Sequence, residues 1–195
     1  APLMNHREEI LSRVRLALEG APQAPLPEVF QSPAAGLTWE DFATAHEEAH
    51  GEFRGFVAKQ ELLGAIEALT SSCGYTHGAA ELLGQEPYSG DAEALNGLSW
   101  MVATGFYAVA RSGAVAVSSE TTPLRLQLLL PENLVLLVPE DKLVDDLPEF
   151  YAELDPAQLP GGYLTLIAGP SKTADIEQIL VTGAHGPKRL VVFAY

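Results

Sequence analysis

The sequence predicts a single α/β domain that follows a short helical arm. Its length of 195 residues is that of one domain, and 47% of the residues are hydrophobic, as in folded globular proteins. Short apolar runs typical of buried strands alternate with amphipathic segments typical of helices. This alternation favours a three-layer α/β fold around a parallel or mixed sheet.

The charge balance of the chain is acidic. There are 26 Asp and Glu residues against 11 Lys and Arg residues, and the formal net charge is -15 at pH 7. Such a surface repels nucleic acid and anionic lipid, so we expect neither as a partner. A small anionic ligand remains compatible, because a pocket can be locally positive. No apolar run reaches about 18 residues and the first residues lack a signal-peptide pattern, so we expect a cytoplasmic protein.

Cysteine usage limits the redox chemistry of the chain. Cys73 is its single cysteine, so an intrachain disulfide cannot form. An iron–sulfur cluster typically needs about four thiolates. The glycine-rich patterns of mononucleotide and dinucleotide sites, GxxxxGK and GxGxxG, do not occur. We therefore expect no resident cofactor.

The first part of the chain predicts an arm rather than part of the domain. Residues 5–19 form an amphipathic helical pattern, with Ile10, Val14 and Leu18 on one face. Residues 20–36 contain prolines at a density that disfavours both helix and sheet pairing. We assign residues 1–36 to a helix with a Pro-rich linker, and residues 37–195 to a single α/β domain. Packing of the arm on its own domain and docking on a partner are equally compatible with this pattern.

Within the domain, several segments predict defined elements. Thr38 and Asp41 predict a capping box at the start of a helix that ends near residue 51. Ser112 and Gly113 between two apolar runs predict a tight hairpin or a bulged strand over residues 107–117. The remaining predictions are strands over residues 53–58, 134–138, 163–168 and 190–194, and helices over residues 61–69, 124–130, 145–154 and 173–181.

The sequence HEEAH at residues 46–50 matches the HExxH pattern of zinc peptidases. On a helix, His46 and His50 would lie one turn apart, with Glu47 as a possible base. Glu48 within the motif and further acids around it favour a solvated acidic helix instead. We expect both histidines to be exposed and no metal site to form. Adventitious metal binding by the pair is left open.

The sequence GPSKTADIE at residues 169–177 follows a predicted strand. A strand, a glycine turn and a helix that starts near Thr173 would point free N–H groups at one spot, which favours an anion. Lys172 would add charge and Ser171 a hydroxyl contact. The alternative is that Ser171 and Thr173 merely cap the helix.

The sequence GAHGPK at residues 183–188 comes after that predicted helix. Gly183 can end the helix and Pro187 blocks its continuation. His185, between small residues, is a candidate general acid or base or a ligand contact. The alternative is a loop histidine that bonds a backbone carbonyl.

Read together, the GPSKTADIE and GAHGPK segments closely resemble the C-terminal signature of the LutC/YkgG family, the lactate-utilization protein C type with a LUD domain. Residues 107–117 resemble the family more weakly. The resemblance implies a fold similar to the glucosamine-6-phosphate deaminase/ribose-5-phosphate isomerase/CoA-transferase group. It also implies a role in oxidising L-lactate to pyruvate, beside partner subunits that carry iron–sulfur clusters.

Some positions depart from the family pattern. Arg111 stands before Ser112 where the family usually has an acid, Phe106 stands where an Asp is common, and Leu134 replaces a histidine. The loss of two acids and an imidazole lowers the capacity for acid/base catalysis. An inward Arg111 would favour an anionic ligand, whereas an exposed Arg111 would be a charge at a hairpin tip.

These observations favour a non-redox accessory protein of L-lactate utilization with an anion-binding crevice, not catalytic by itself. The predicted ligand-binding residues are Gly169, Pro170, Ser171, Lys172, Thr173, His185, Gly186, Lys188, Arg111 and Ser112. One alternative is an independent enzyme acting on a phosphorylated or CoA-linked small molecule, with His185, Asp175 or Glu177 as catalytic residues. The other is a structural subunit without a ligand.

Overall fold

The computed structural model describes residues 6–19, 36–154, 162–173, 181–183 and 185–195. It divides into two units, residues 1–30 and residues 31–195. The first unit contains α1 (His6–Leu18), which has no buried residue and exposes Ile10, Val14 and Leu18. Residue 5, the first of the predicted helix, and most of the predicted linker lie outside the described residues. No helix in the described part of the chain is long and apolar enough to cross a membrane.

The second unit contains the other helices and all the described strands. Its helices are α2 (Trp39–Glu48), α3 (Leu62–Glu67), α4 (His77–Leu83), α5 (Ala92–Asn96) and α6 (Leu147–Glu153). Its strands are β1 (Glu52–Phe56), β2 (Gly74–Tyr75), β3 (Trp100–Thr104), β4 (Tyr107–Val109), β5 (Ala114–Ser118), β6 (Asn133–Val138), β7 (Leu143–Val144), β8 (Leu164–Ile167), β9 (Lys172–Thr173), β10 (Val181–Thr182) and β11 (Arg189–Ala194). The predicted short helix over residues 124–130 is a 3₁₀ turn, Arg125–Leu128.

Five parallel strands form the main sheet, in the order β1-β11-β6-β3-β2. Successive residues of a strand point to opposite faces, so each of the inner strands β3, β6 and β11 contributes to two cores. Leu134 and Leu136 of β6 lie in one core, whereas Val135 and Leu137 lie in the other. Burial on both faces explains why these strands appear as continuous apolar runs in the sequence.

A second sheet of four strands, in the order β7-β4-β5-β8, packs on one face of the main sheet. Helices α3 and α4 cover the opposite face of the main sheet, and Phe150 of α6 packs on the outer side of the second sheet. The mixed α/β class expected from the sequence is confirmed. The molecule differs from the simple three-layer expectation because the hairpin β4–β5 and β8 form a sheet of their own.

The start of the domain is fixed by hydrogen bonds to carboxylates. The predicted capping box of α2 is confirmed, with the backbone N–H of Thr38 2.8 Å from Oδ2 of Asp41 and the Thr38 side chain accepting from the first turn. Just before it, the N–H groups of Gly36 and Leu37 donate to the two carboxylate oxygens of Asp145, at 2.8 and 2.7 Å. These bonds attach the first described residues of the domain to the segment that leads into α6.

The helix predicted over residues 173–181 is wrong at both ends. Lys172 and Thr173 form β9, which pairs antiparallel with β10, Val181–Thr182. Residues 174–180, which include Asp175 and Glu177, lie outside the described residues. The strand before this segment, β8, pairs with β5 in the second sheet and is only half-buried. The glycine turn that follows β8 therefore continues from a strand of the second sheet and not from a strand of the main sheet.

Candidate functional site

A cavity of about 520 Å³ opens at the amino-terminal edge of the main sheet. Its walls come from the segments that directly precede β3, β6 and β11, together with the 3₁₀ turn at Arg125–Leu128. We call it the amino-edge cavity. It is lined by Asn96, Gly97, Leu98, Leu126, Leu129, Leu130, Pro131, Glu132, Gly183, His185, Gly186 and Lys188. The predicted GAHGPK segment therefore supplies one of its walls.

Two glycines shape that wall. Gly183 has a φ of +78°, and a Cβ atom there would stand 2.3 Å from Cγ of Lys188. A Cβ on Gly186 would stand 3.0 Å from Cβ of Ser171. The first glycine lets the stem of Lys188 lie across the turn, and the second lets Ser171 approach. The local need for small residues thus explains the glycine spacing of the motif.

The polar groups of the amino-edge cavity lie at its rim. His185 is exposed, and Nζ of Lys188 donates to Oε1 of Glu132 at 2.9 Å. Both side chains of this ion pair are exposed to solvent, Lys188 by 59% and Glu132 by 50%. Leucines form much of the remaining wall, and Leu126 and Leu129 stay partly exposed. The cavity can therefore hold an apolar body with a charged group near Lys188 and His185.

Residues 169–172, the described start of the GPSKTADIE segment, lie beside this wall, but their polar groups have partners of their own. The N–H of Ser171 donates to the Pro187 carbonyl at 2.9 Å, and the Ser171 carbonyl accepts from Gly183 at 2.9 Å. The ammonium of Lys172 donates to the carbonyl of Ala49, where α2 ends. A lysine in this position satisfies a terminal carbonyl and complements the helix dipole. The two signature segments thus touch at Ser171, Gly183 and Pro187, and the N–H group of Ser171 is not free, contrary to the expectation for the residues after Pro170.

Arg111 and Ser112 do not line the amino-edge cavity. Both are exposed, in the turn between β4 and β5. Nε of Arg111 lies 3.8 Å from Oδ2 of the buried Asp146. This position agrees with the alternative of a charge at a hairpin tip.

The expectation that both histidines of HEEAH are exposed is wrong for His46. His46 has no exposed surface, because it stacks on Phe42 and its Nδ1 lies 2.7 Å from the Gly113 carbonyl oxygen. His50 is exposed and lies beyond the end of α2, with a φ of +68°. The two rings therefore do not share one helical face. Among the described residues, no group of three His, Cys, Asp or Glu side chains is placed to hold a metal ion.

A second cavity, of about 490 Å³, opens at the opposite edge of the main sheet. We call it the carboxyl-edge cavity. It is lined by Lys59, Gly78, Glu81, Leu82, Thr104, Gly105, Phe106, Thr121, Pro139, Lys142 and Tyr195. Phe106 is one of the positions that depart from the family pattern, but none of these residues is predicted from the sequence to bind a ligand. One available signal was Thr104, a hydroxyl at the end of an otherwise apolar strand.

The LUD domain family model matches residues 94–195, more than half of the chain, and the protein belongs to this family. The match begins in α5 and includes both signature segments and the strands from β3 onward. It therefore covers the whole GAHGPK wall of the amino-edge cavity. It also covers the part of the carboxyl-edge cavity that follows β3, β6 and β11.

Several curated relatives are named lactate utilization protein C. The chain is 37% identical to that of Halalkalibacterium halodurans, over 43% of this chain and 38% of the relative. The protein of Deinococcus radiodurans is 33% identical, over 44% of this chain and 41% of the relative. The protein of Geobacillus kaustophilus is 31% identical, over 42% of this chain and 35% of the relative. The matched part thus spans about two fifths of these relatives, 35–41% of their length.

A solved structure supports the fold over a larger part of the chain. The crystal structure of a DUF162 family protein from Deinococcus radiodurans superposes with a TM-score of 0.62, covering 80% of this chain and 94% of that one. The sequence identity is 20%. The likeness therefore shows a common fold, and its coverage is wider than that of the family model.

Proposed function

We propose that this chain is a cytoplasmic, non-redox accessory protein of L-lactate utilization. It acts beside partner subunits that carry iron–sulfur clusters and oxidise L-lactate to pyruvate. The observation that carries the proposal is the similarity of part of this chain to proteins named lactate utilization protein C, together with the LUD domain match over residues 94–195. Cys73, the single thiol of the chain, is half-buried, and burial raises its pKa. It cannot supply a cluster by itself, so the partners hold the redox centres.

The amino-edge cavity is the proposed ligand site of this accessory protein. Its GAHGPK wall belongs to the signature that relates the chain to its family, and His185 and Lys188 stand at its rim. An anion that binds the ammonium of Lys188 must share it with the Glu132 carboxylate or displace that carboxylate. Exposed ion pairs of this kind contribute only about 0–1 kcal/mol, so the displacement is inexpensive. A small carboxylate with an apolar body is the ligand that fits this arrangement.

Growth on L-lactate tests the cellular role. A bacterium that lacks its own lactate utilization protein C is supplied with this chain, with pyruvate as the control carbon source. We expect the wild type and Arg54→Ala to restore growth on L-lactate, whereas His185→Ala combined with Lys188→Ala restores it poorly. Arg54 is a matched control because it is also an exposed cation paired with a glutamate, 2.6 Å from Glu52. If a folded, expressed wild-type chain fails to restore growth on L-lactate, that result contradicts the proposed role.

Ligand binding is tested separately on the purified chain. L-lactate, pyruvate and acetate, compared with chloride at equal ionic strength, should raise the melting temperature. Lys188→Ala should reduce this shift, and Arg54→Ala should retain it. Turnover of a phosphorylated or CoA-linked compound by the chain alone would favour the independent enzyme, and no shift with any carboxylate would favour the structural subunit.

A further inference from the structure

The carboxyl-edge cavity is built by the residues that follow the strands of the main sheet. Lys59 follows β1, Gly78 follows β2, and Thr104 ends β3. Pro139 and Tyr195 directly follow β6 and β11. Open parallel sheets bind their ligands at this edge. The volume of about 490 Å³ also lies in the usual range for small-molecule sites, about 300–1,000 Å³.

Two hydroxyl groups in the wall of this cavity lack hydrogen-bond partners. Thr104 is 7% exposed, and its Oγ1 has no partner among the described residues. Oγ1 of Thr121 is also shielded and has no partner there. A buried hydroxyl without a partner destabilises a fold, so such groups usually have a specific reason to be present. Both threonines line the same cavity, so a polar ligand that reaches this wall would supply the missing hydrogen-bond partners.

Gly78 keeps this wall free of a side chain. A Cβ at position 78 would stand 2.5 Å from Oγ1 of Thr104 and 2.6 Å from Cβ of Thr121. The backbone N–H of Gly78 donates to the Thr121 carbonyl at 2.8 Å. The two threonines and the glycine are therefore held together as one surface. A hydroxyl can rotate to meet a ligand placed against that surface.

Lysine side chains outnumber carboxylate side chains in the lining of this cavity. Lys59 and Lys142 line the cavity with one carboxylate, Glu81. Neither lysine forms an ion pair within the described part of the chain; Nζ of Lys142 lies 5.4 Å from the ring centroid of Tyr107. Phe106 adds an apolar wall. The combination fits an anionic group joined to an apolar body.

We propose that the carboxyl-edge cavity binds a small organic anion, whose carboxylate or phosphate head contacts Lys59, Lys142 and the hydroxyls of Thr104 and Thr121. The apolar body of the ligand lies against Phe106. This site is distinct from the amino-edge cavity, because the two open at opposite ends of the same strands. The six residues of β6 alone separate the two edges by roughly 20 Å. The proposal does not depend on a role in lactate utilization.

Binding to the full chain is measured by titration calorimetry and thermal shift. The probes are inorganic phosphate, phenyl phosphate, acetate and benzoate, each against chloride at equal ionic strength. We expect phenyl phosphate or benzoate to bind more tightly than the bare ion with the same head, and this comparison also separates phosphate from carboxylate ligands. Lys59→Met and Lys142→Met should each weaken binding about tenfold, as for the loss of one charge-assisted contact.

Thr104→Val separates binding from a purely structural role. Removal of an unpartnered hydroxyl should leave the melting temperature of the free chain unchanged or raise it, while the affinity for the probe falls. Thr122→Val is the matched control: Thr122 is likewise buried and its Oγ1 has no partner among the described residues, but it does not line the cavity. It should bind the probe as the wild type does.

Two results overturn the proposal. One is that no probe binds the folded chain better than chloride does. The other is that Thr104→Val and Lys59→Met bind as the wild type does, while Lys188→Met abolishes binding. That second result would assign the anion to the amino-edge cavity and leave the carboxyl-edge cavity without a ligand.

Discussion

The imidazole of His46 is enclosed on several sides. Its ring stacks on Phe42 with a centroid distance of 5.3 Å, and a Cβ atom on Gly51 would stand 2.1 Å from its Nε2. The carbonyl of Gly113 can only accept, so Nδ1 carries the hydrogen of the 2.7 Å bond between them. Nε2 has no partner among the described residues. A proton on Nε2 would thus be buried without an acceptor, and His46 is a neutral structural residue.

This arrangement predicts a loss of stability in mild acid. Burial lowers the pKa of His46 from 6.5, against the opposing effects of the Gly113 carbonyl and Glu47. Below about pH 6.5 the unfolded chain therefore binds a proton that the folded chain resists. The free energy of unfolding should fall as the pH drops, by at most about 1.4 kcal/mol per pH unit from this group. Urea denaturation between pH 7.5 and pH 5.5 measures the slope.

Two variants isolate His46 in that experiment. His46→Asn removes the titration and should flatten the pH dependence, although the smaller side chain lowers stability at pH 7.5. His50→Asn is the control, because His50 is exposed with a φ of +68°, which asparagine tolerates. Carboxylate titration affects all three proteins alike. Equal slopes for wild type and His46→Asn would show that His46 does not titrate as argued.

At the scale of elements, the carboxyl end of α2 is where distant segments meet. Gly113 of the β4–β5 turn packs on the backbone of His46, and Gly169 packs on the Ala49 carbonyl. Lys172 donates to the same Ala49 carbonyl. The turn after β8 is thus held by α2 rather than by the edge of the main sheet.

Gly169→Ala should therefore destabilise the protein much more than Gly55→Ala. Both glycines have positive φ, +74° and +82°, so an alanine at either position has a similar backbone strain. At Gly169 the new Cβ would also stand 2.1 Å from the oxygen of Ala49, whereas nothing lies within 4 Å at Gly55. The steric conflict should add roughly 1–3 kcal/mol of destabilisation. Chemical denaturation of the two variants checks this, and equal losses would contradict the packing of Gly169 on α2.

For the whole molecule, removal of the first residues tests the prediction that the helical arm is separable from the domain. A chain of residues 31–195 should unfold cooperatively near the melting temperature of the full chain. A chain that starts at residue 38 loses the two bonds from Gly36 and Leu37 to Asp145 and should be less stable, by about 1–3 kcal/mol. Calorimetry compares the three chains. An insoluble or non-cooperative 31–195 chain would show that the first residues belong to the core.

Local physics explains which elements could be predicted from the sequence. The capping box of Thr38 and Asp41, the β4–β5 hairpin and the buried strand β6 depend on residues close in the chain, and each is confirmed. The GAHGPK segment is recognisable from the sequence alone, because its glycines and histidine form a local pattern. The prediction of a helix that starts at Thr173 is wrong, because serine and threonine residues that can cap a helix also occur in turns and at the ends of strands.

The sequence by itself determined the mixed α/β class, the family and the alternation of buried strands, since these depend on apolar periodicity and on a contiguous signature. Only the tertiary structure decided that β8 joins a second sheet, that His46 is buried and that Lys172 caps α2. It also placed Thr104 and Lys59 in one cavity, although they lie far apart in the chain. Such contacts depend on which surfaces meet when the sheets pack, and periodicity along the chain carries no information about the partner of each surface.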